Sequence, residues 1–218
     1  EEGPDVYASM LAAPDSLGPG HRPPSESILT ISDEQIDQIT AQRPFMLPDT
    51  VDFQAGEIET LLTPDRVMMP SDVLLTAILT SAIDDRPIYF ATTTAVYENL
   101  DLRPYLIRQG VAYRLNNGTV AADSASGIVS LRGTQFEPAA GPFLDLPRTD
   151  TLAWDVFMHR GGIPDEWSHW VDASTQGIPI YYAYMHYGAA EAHALRGQNE
   201  AAQRHIERAD AWYDLALR

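Results

Sequence analysis

The segment Ser71 to Leu115 constrains this chain more than any other, because capping, periodicity and breaker signals in it agree on one order of elements. Ser71 and Asp72 form a helix start, and Val73, Leu74, Leu75, Ile78, Leu79 and Ile83 present an apolar surface wide enough for a largely buried helix. Pro87 stops it. Ile88 to Thr92 is short, β-branched and aromatic, the composition of a buried strand. A second helix is then expected: Asp101 caps it, Pro104 falls in its first turn, Leu102 and Leu106 lie one turn apart, and Gly110 sits where a helix ends. Val111 to Leu115 returns as a strand. Strand, short helix and strand joined by so little chain predict a right-handed parallel crossover, with the Ser71 helix packed on the same sheet.

Two runs in this segment, D-R-P-I-Y-F-A-T-T at Asp85 to Thr93 and L-D-L-R-P-Y-L-I-R-Q-G-V-A-Y-R-L at Leu100 to Leu115, follow an apolar helix. In that order they resemble the soluble C-terminal region of a family of bacterial multi-pass membrane proteins related to protein O-mannosyltransferases. That family is uncharacterised in function, and many members end in an extracytoplasmic domain with helical repeats. The resemblance covers the middle of the chain with some support from the last helices. It implies a place outside the cytoplasm and an accessory domain of a sugar-transferring membrane enzyme. It carries no catalytic residue onto this chain, because in such glycosyltransferases the catalytic carboxylate belongs to the membrane-embedded half. This chain departs from the family in having no membrane-spanning run.

Composition narrows the partners. A chain of 218 residues makes one large domain or two small ones. Its 31 acidic residues against 14 basic ones leave a net charge of −17, which argues against nucleic acid or an anionic membrane surface. Every basic residue is Arg, so Schiff-base chemistry and a phosphate-loop lysine are absent. With no Cys there are no disulfides, thiolate nucleophiles or cysteine-zinc clusters, and either redox compartment is compatible. No apolar run approaches the ~18 to 20 residues of a membrane span. Glu1 and Glu2 show neither an initiator Met nor a signal peptide, so the chain is expected to be a processed product or a fragment.

Three regions are expected: an extended arm at 1–31, an α/β domain at 32–145 and a helical subdomain at 146–218. The arm is interrupted by Gly3, Pro4, Pro14, Gly18, Pro19, Gly20, Pro23 and Pro24, and it has no core of its own. It folds back over its own domain or lies along a partner, and in the second case Tyr7, Met10 and Leu11 are its anchors. Ser32 and Gln35 have capping-box spacing, and Pro44 closes the helix they open. Phe45 to Leu47, Val51 to Phe53 and Ile58 to Leu62 read as strands, the last two as a hairpin, with an edge segment at Val67 to Met69. Asn116 to Gly118 is a turn and Ile128 to Leu131 one more strand. Asp150 is placed to cap a helix containing Leu152, Trp154, Val156 and Phe157, stopped by Gly161 and Gly162. Tyr181 to Arg196 and Glu200 to Leu217 then form two helices around Gly197, Gln198 and Asn199. The run Y-G-A-A-E-A-H-A-L-R-G-Q-N-E-A-A-Q-R-H-I-E-R-A is similar to one tetratricopeptide repeat, and a single copy more often closes a domain than builds a peptide groove. The fold class is thus α/β, with α+β the alternative: a small mixed sheet with packed helices, followed by a C-terminal helical hairpin.

Chemistry-bearing patterns are sparse. His186 and His193 lie two turns apart near Glu191, which is not zinc-site spacing, so they read as surface or core histidines. Asp84 and Asp85 beside Arg86 read as a helix end meeting a cation. Ser124, Ser126 and Ser130 have no G-x-S-x-G context, and no nucleotide loop is present. Trp154, Phe157, Trp167, Trp170, Tyr181, Tyr182, Tyr184 and Tyr187 suit a protein interface, a sugar platform or simply a core. Of these, Trp167, Trp170, Tyr182 and Tyr187 join the arm anchors as expected partner-binding residues. No catalytic residue, metal ligand or cofactor is expected. The leading expectation is a non-catalytic extracytoplasmic scaffold domain, an extrinsic subunit of a bacterial membrane complex of respiratory, secretion or photosynthetic type. The alternatives are an accessory or sugar-binding domain of a membrane glycosyltransferase, and a soluble hydrolase built on acidic residues that converge in space.

Overall fold

In the computed structural model, residues 31–217 are described, except Asp65, Met158, Arg160 and Gly161. Tyr7, Met10 and Leu11 therefore lie outside the described residues. Helix α1 (Asp33–Thr40) opens with the expected capping box: the Gln35 N–H donates to Ser32 Oγ at 3.2 Å, and the Ser32 N–H to Gln35 Oε1 at 2.9 Å. Two antiparallel ribbons follow, β1 (Phe45–Met46) with β4 (Val67–Met68) and β2 (Val51–Ala55) with β3 (Ile58–Leu62). The alternation of β2 and β3 turns Phe53, Ala55, Ile58 and Leu62 inward against helix α2 (Pro70–Ala82), while Asp52, Gln54 and Glu59 face out. Pro70 begins α2, and Asp72 Oδ2 reaches back to accept the Met69 N–H at 2.8 Å and an Asn99 Nδ2–H at 3.0 Å. Asp72 is thereby satisfied although it is 1% exposed.

The main sheet has five strands: β5 (Ile88–Ala91), β6 (Leu106–Gln109), β7 (Ala112–Leu115), β8 (Ile128–Ser130) and β9 (Phe143–Asp145), in the order β5-β7-β6-β9-β8. Only β6 and β9 run parallel; the other pairs are antiparallel. Here the structure corrects the sequence reading. The expected helix after Asp101 is a single 3-10 turn, Arg103–Tyr105, and Leu106 to Gln109 is a strand with all four residues buried. Gly110 does not end a helix. Its φ of +60° makes the first position of a two-residue hairpin turn that joins β6 to β7, so the crossover gives way to an antiparallel pair. The one-turn spacing of Leu102 and Leu106 served both readings, and both side chains are buried either way. Tyr97 then packs edge-on against Phe90 of β5 and Tyr113 of β7, closing one face.

Helix α3 (Leu146–Thr151) starts one turn before the expected cap: Asp145, not Asp150, accepts the Arg148 N–H at 3.0 Å. Its end widens into a π-turn, Leu152–Val156. Helices α4 (Gly177–Leu195) and α5 (Asn199–Leu217) form the expected hairpin, with Ala183, Ala189, Ala202, Ala209 and Ala216 buried, so that small residues let the helices approach closely. Ala189 and Ala192 of α4 pack on Val129, Leu131, Leu144 and Leu146, which seats the hairpin on the β8–β9 end of the sheet. The chain is a mixed α/β fold with a C-terminal helical hairpin.

Candidate functional site

Three places on this scaffold gather functional side chains. The first lies where α3, α4 and α5 meet. Asp150, freed from capping, points its carboxylate at His193 Nε2 and His205 Nε2, each 3.1 Å away. His205 Nδ1 and His186 Nδ1 share a 2.9 Å hydrogen bond, and His193 Nδ1 pairs with Gln198 Oε1 at 2.7 Å. The Trp154 indole N–H donates to His205 Nε2 at 3.0 Å. Burial works to raise the Asp150 carboxyl, but hydrogen bonds and charge from His205 and His193 outweigh it and hold it below its ordinary range. Burial, followed by the charges of His205 and Arg208, pulls His186 down to about 3, so it is neutral at physiological pH.

Asp150, His193 and His205 offer three ligand atoms within 4.8 Å of one another, the composition of a two-histidine, one-carboxylate metal site. The geometry sets a condition on that use. Trp154 and Asp150 already make opposite demands on His205 Nε2, one for its lone pair and one for its proton, and an ion would have to take that nitrogen from both. Hydrogen bonds join the residues into a lock across three helices. Beside it, a cavity of about 280 Å³ is lined by Trp154, His159, His186, Asp165, Glu166 and Arg208. Asp165 is committed to Arg208 at 2.7 Å.

The expected partner-binding aromatics gather near this lock. Tyr182 stacks on Trp212 with ring centres 4.7 Å apart, and Trp167, Trp170 and Tyr187 are partly buried around the same cluster. The Trp170 N–H donates to Thr175 Oγ1 at 2.9 Å, and the Tyr187 hydroxyl to Asp210 Oδ1 at 2.6 Å. The structure thus brings these four together and gives each a packing role within the chain.

The second place is an open apolar groove of about 670 Å³ between the inner face of β2–β3 and one side of α2. Leu47, Val51, Phe53, Leu62, Met68, Val73 and Ala77 line it with Thr76, Thr80 and Ser81, and none of these is charged. Val51 in its lining and Phe45, the cross-strand partner of the lining residue Met68, are each 41% exposed. The third place is a pocket at Arg108, treated below.

Sequence reasoning missed Asp150, His205, Arg108 and the groove. The histidines had a usable signal: folding two helices back about Gly197 to Asn199 brings His205 between the levels of His186 and His193. Comparison of the chain with protein-family models, curated proteins and solved structures finds no match. Among the described residues, no helix is long and apolar enough to cross a membrane.

Proposed function

We propose that this chain is a non-catalytic interaction domain that docks on a membrane-embedded polypeptide outside the cytoplasm. The observation that carries the reading is the uncharged, apolar groove between β2–β3 and α2, which leaves Val51 of its lining exposed. Such a patch on an otherwise acidic chain is the signature of a protein contact. The occupant we assign is an apolar segment of the partner, flanked by basic residues that complement the net charge of −17.

A photo-crosslinking residue at Thr76, on the groove wall, tests this in the full chain added to membranes from its source. The expected result is a crosslink to one membrane polypeptide that disappears when Val73→Asp places a charge in the groove. A crosslink within the chain to residues 1–31, or one that survives Val73→Asp, overturns the reading. Turnover of a sugar, ester or phosphate by the purified chain, abolished by one carboxylate or His substitution, overturns its non-catalytic part.

A further inference from the structure

Arg108 sits on β6, the middle strand of the sheet, opposite Tyr113 on β7 and Leu144 on β9. It is 6% exposed, and its Nε–H donates to the Gly110 carbonyl at 3.1 Å. Among the described residues its two terminal nitrogens make no hydrogen bond, and no carboxylate lies within 4 Å of it. This is a strange economy for a chain with 31 acidic residues. The more exposed guanidiniums of Arg66, Arg103 and Arg208 are each paired with a carboxylate, while Arg108, the most buried arginine among the described residues, is not. An uncompensated buried charge is strongly unfavourable unless something arrives to pair with it.

The nitrogens are not sealed away. Fully buried nitrogen and oxygen atoms lacking a partner are, among the described residues, those of Thr60, His159 and Trp212, so the free ends of Arg108 keep contact with open space. That space is a cavity of about 420 Å³. Tyr113, Phe136, Tyr181 and Tyr184 supply its aromatic walls and Gln135 part of its rim. Helix α4 passes the guanidinium at Gly188, where a β-carbon would lie 3.6 Å from Arg108 Nη1. The one carboxylate lining the cavity belongs to Glu137, and it accepts the Gly133 N–H at 2.7 Å. Size, aromatic walls and a single buried charge are the ordinary make-up of a small-molecule site.

We propose that this cavity binds a small organic anion, a carboxylate or phosphate carried on a ring, with the charged group on the Arg108 fork and the ring against Tyr181 and Tyr184. A planar guanidinium with two free nitrogens matches either oxyanion in a two-pronged contact. The site is independent of the groove and of the docking function assigned to it.

Calorimetric titration of the full chain with benzoate, phenyl phosphate, inorganic phosphate and phenol tests the proposal. Benzoate or phenyl phosphate is expected to bind with a dissociation constant below ~1 mM, phenol at least about tenfold more weakly, and the preferred anion tells carboxylate from phosphate. Arg108→Met is expected to abolish binding and to raise the melting temperature of the unliganded chain, because it removes a buried charge rather than a packed contact. Glu137→Gln, a surface change that leaves the sheet alone, is expected to tighten binding by removing the competing negative charge. Absence of binding by both ring anions, unchanged binding in Arg108→Met, or no gain in Glu137→Gln overturns the proposal. Equal affinity for inorganic and phenyl phosphate overturns the role of the aromatic walls. Binding that emerges only after removal of residues 1–31 would mean that a carboxylate of this chain fills the site, and would also overturn it.

Discussion

At the scale of single residues, burial and pairing decide which side chains matter. Phe90 is buried on β5 against Tyr97, so Phe90→Ala is expected to lower stability by about 3 to 5 kcal/mol in urea or thermal unfolding. An unchanged melting temperature would contradict the packing. His186 gives the chain a pH response whose sign follows from its depressed pKa. A base held below its ordinary 6.5 takes its proton more readily in the unfolded chain, so its stabilising contribution is complete above pH 6.5 and declines as pH falls toward 3. The Asp150 carboxyl, held low, adds a further loss only as pH falls below its ordinary 3.8. The titratable groups acting on His186 are His205, Arg208, His159 and Asp150. Urea melts between pH 7 and 4 are expected to lose stability on the order of several kcal/mol, and His186→Gln to flatten that slope. A slope that persists in His186→Gln would assign the loss elsewhere. Phe90 was legible in the sequence because its burial follows from a local strand pattern. His186 and Asp150 were not, because their roles depend on which helices meet.

At the scale of elements, the same distinction separates what local signals reveal from what they leave open. The Ser32 capping box formed as read, and the β2–β3 hairpin, helix α2 and the α4–α5 hairpin formed with shifted ends: β2 runs on to Ala55, α2 begins at Pro70 rather than Ser71, and α4 begins at Gly177 rather than Tyr181. Leu102 to Gln109 carried one apolar spacing that suits a helical turn or a strand, and only pairing with β7 and β9 settled it. Arg108 was hidden by the same ambiguity, since a residue in a short surface helix would have kept its charge in water. Asn117 shows how distant elements are tied. Its side-chain oxygen accepts the Glu57 N–H at the β2–β3 turn at 2.6 Å, and its amide donates to Asp84 after α2 at 2.8 Å. Gly56, at φ +57°, stands against the same side chain, where a β-carbon would collide with the Asn117 amide. Asn117→Ala is expected to cost about 1 kcal/mol in equilibrium unfolding and to raise amide exchange at the β2–β3 turn first. Uniform exchange across the chain would mean that the turn is held by its strand pairing alone.

At the scale of the whole molecule, deletion of residues 1–31 tests how stability and docking are divided along the chain. The three core clusters are built from residues between Ala55 and Leu215 and reach from the β ribbons to the α4–α5 hairpin, so the body has apolar burial of its own. Residues 1–31 bring many prolines and glycines, and their large apolar side chains are Val6, Tyr7, Met10, Leu11, Leu17, Ile28, Leu29 and Ile31. A few such anchors, Tyr7, Met10 and Leu11 among them, suffice to strengthen a contact made elsewhere, and prolines lower the entropy lost when a segment is ordered. If those anchors serve a partner, deleting residues 1–31 leaves the melting temperature of the remainder nearly unchanged and weakens its retention on the membrane polypeptide crosslinked through Thr76. If they instead fill the groove at Val73 and Ala77, the deletion lowers the melting temperature and leaves the groove open to the partner, so retention rises. Limited proteolysis separates the two outcomes without a partner-binding assay. Cleavage between Pro14 and Pro24 is expected first in the isolated chain and to slow in the complex, and equal resistance in both states would assign the arm to its own domain.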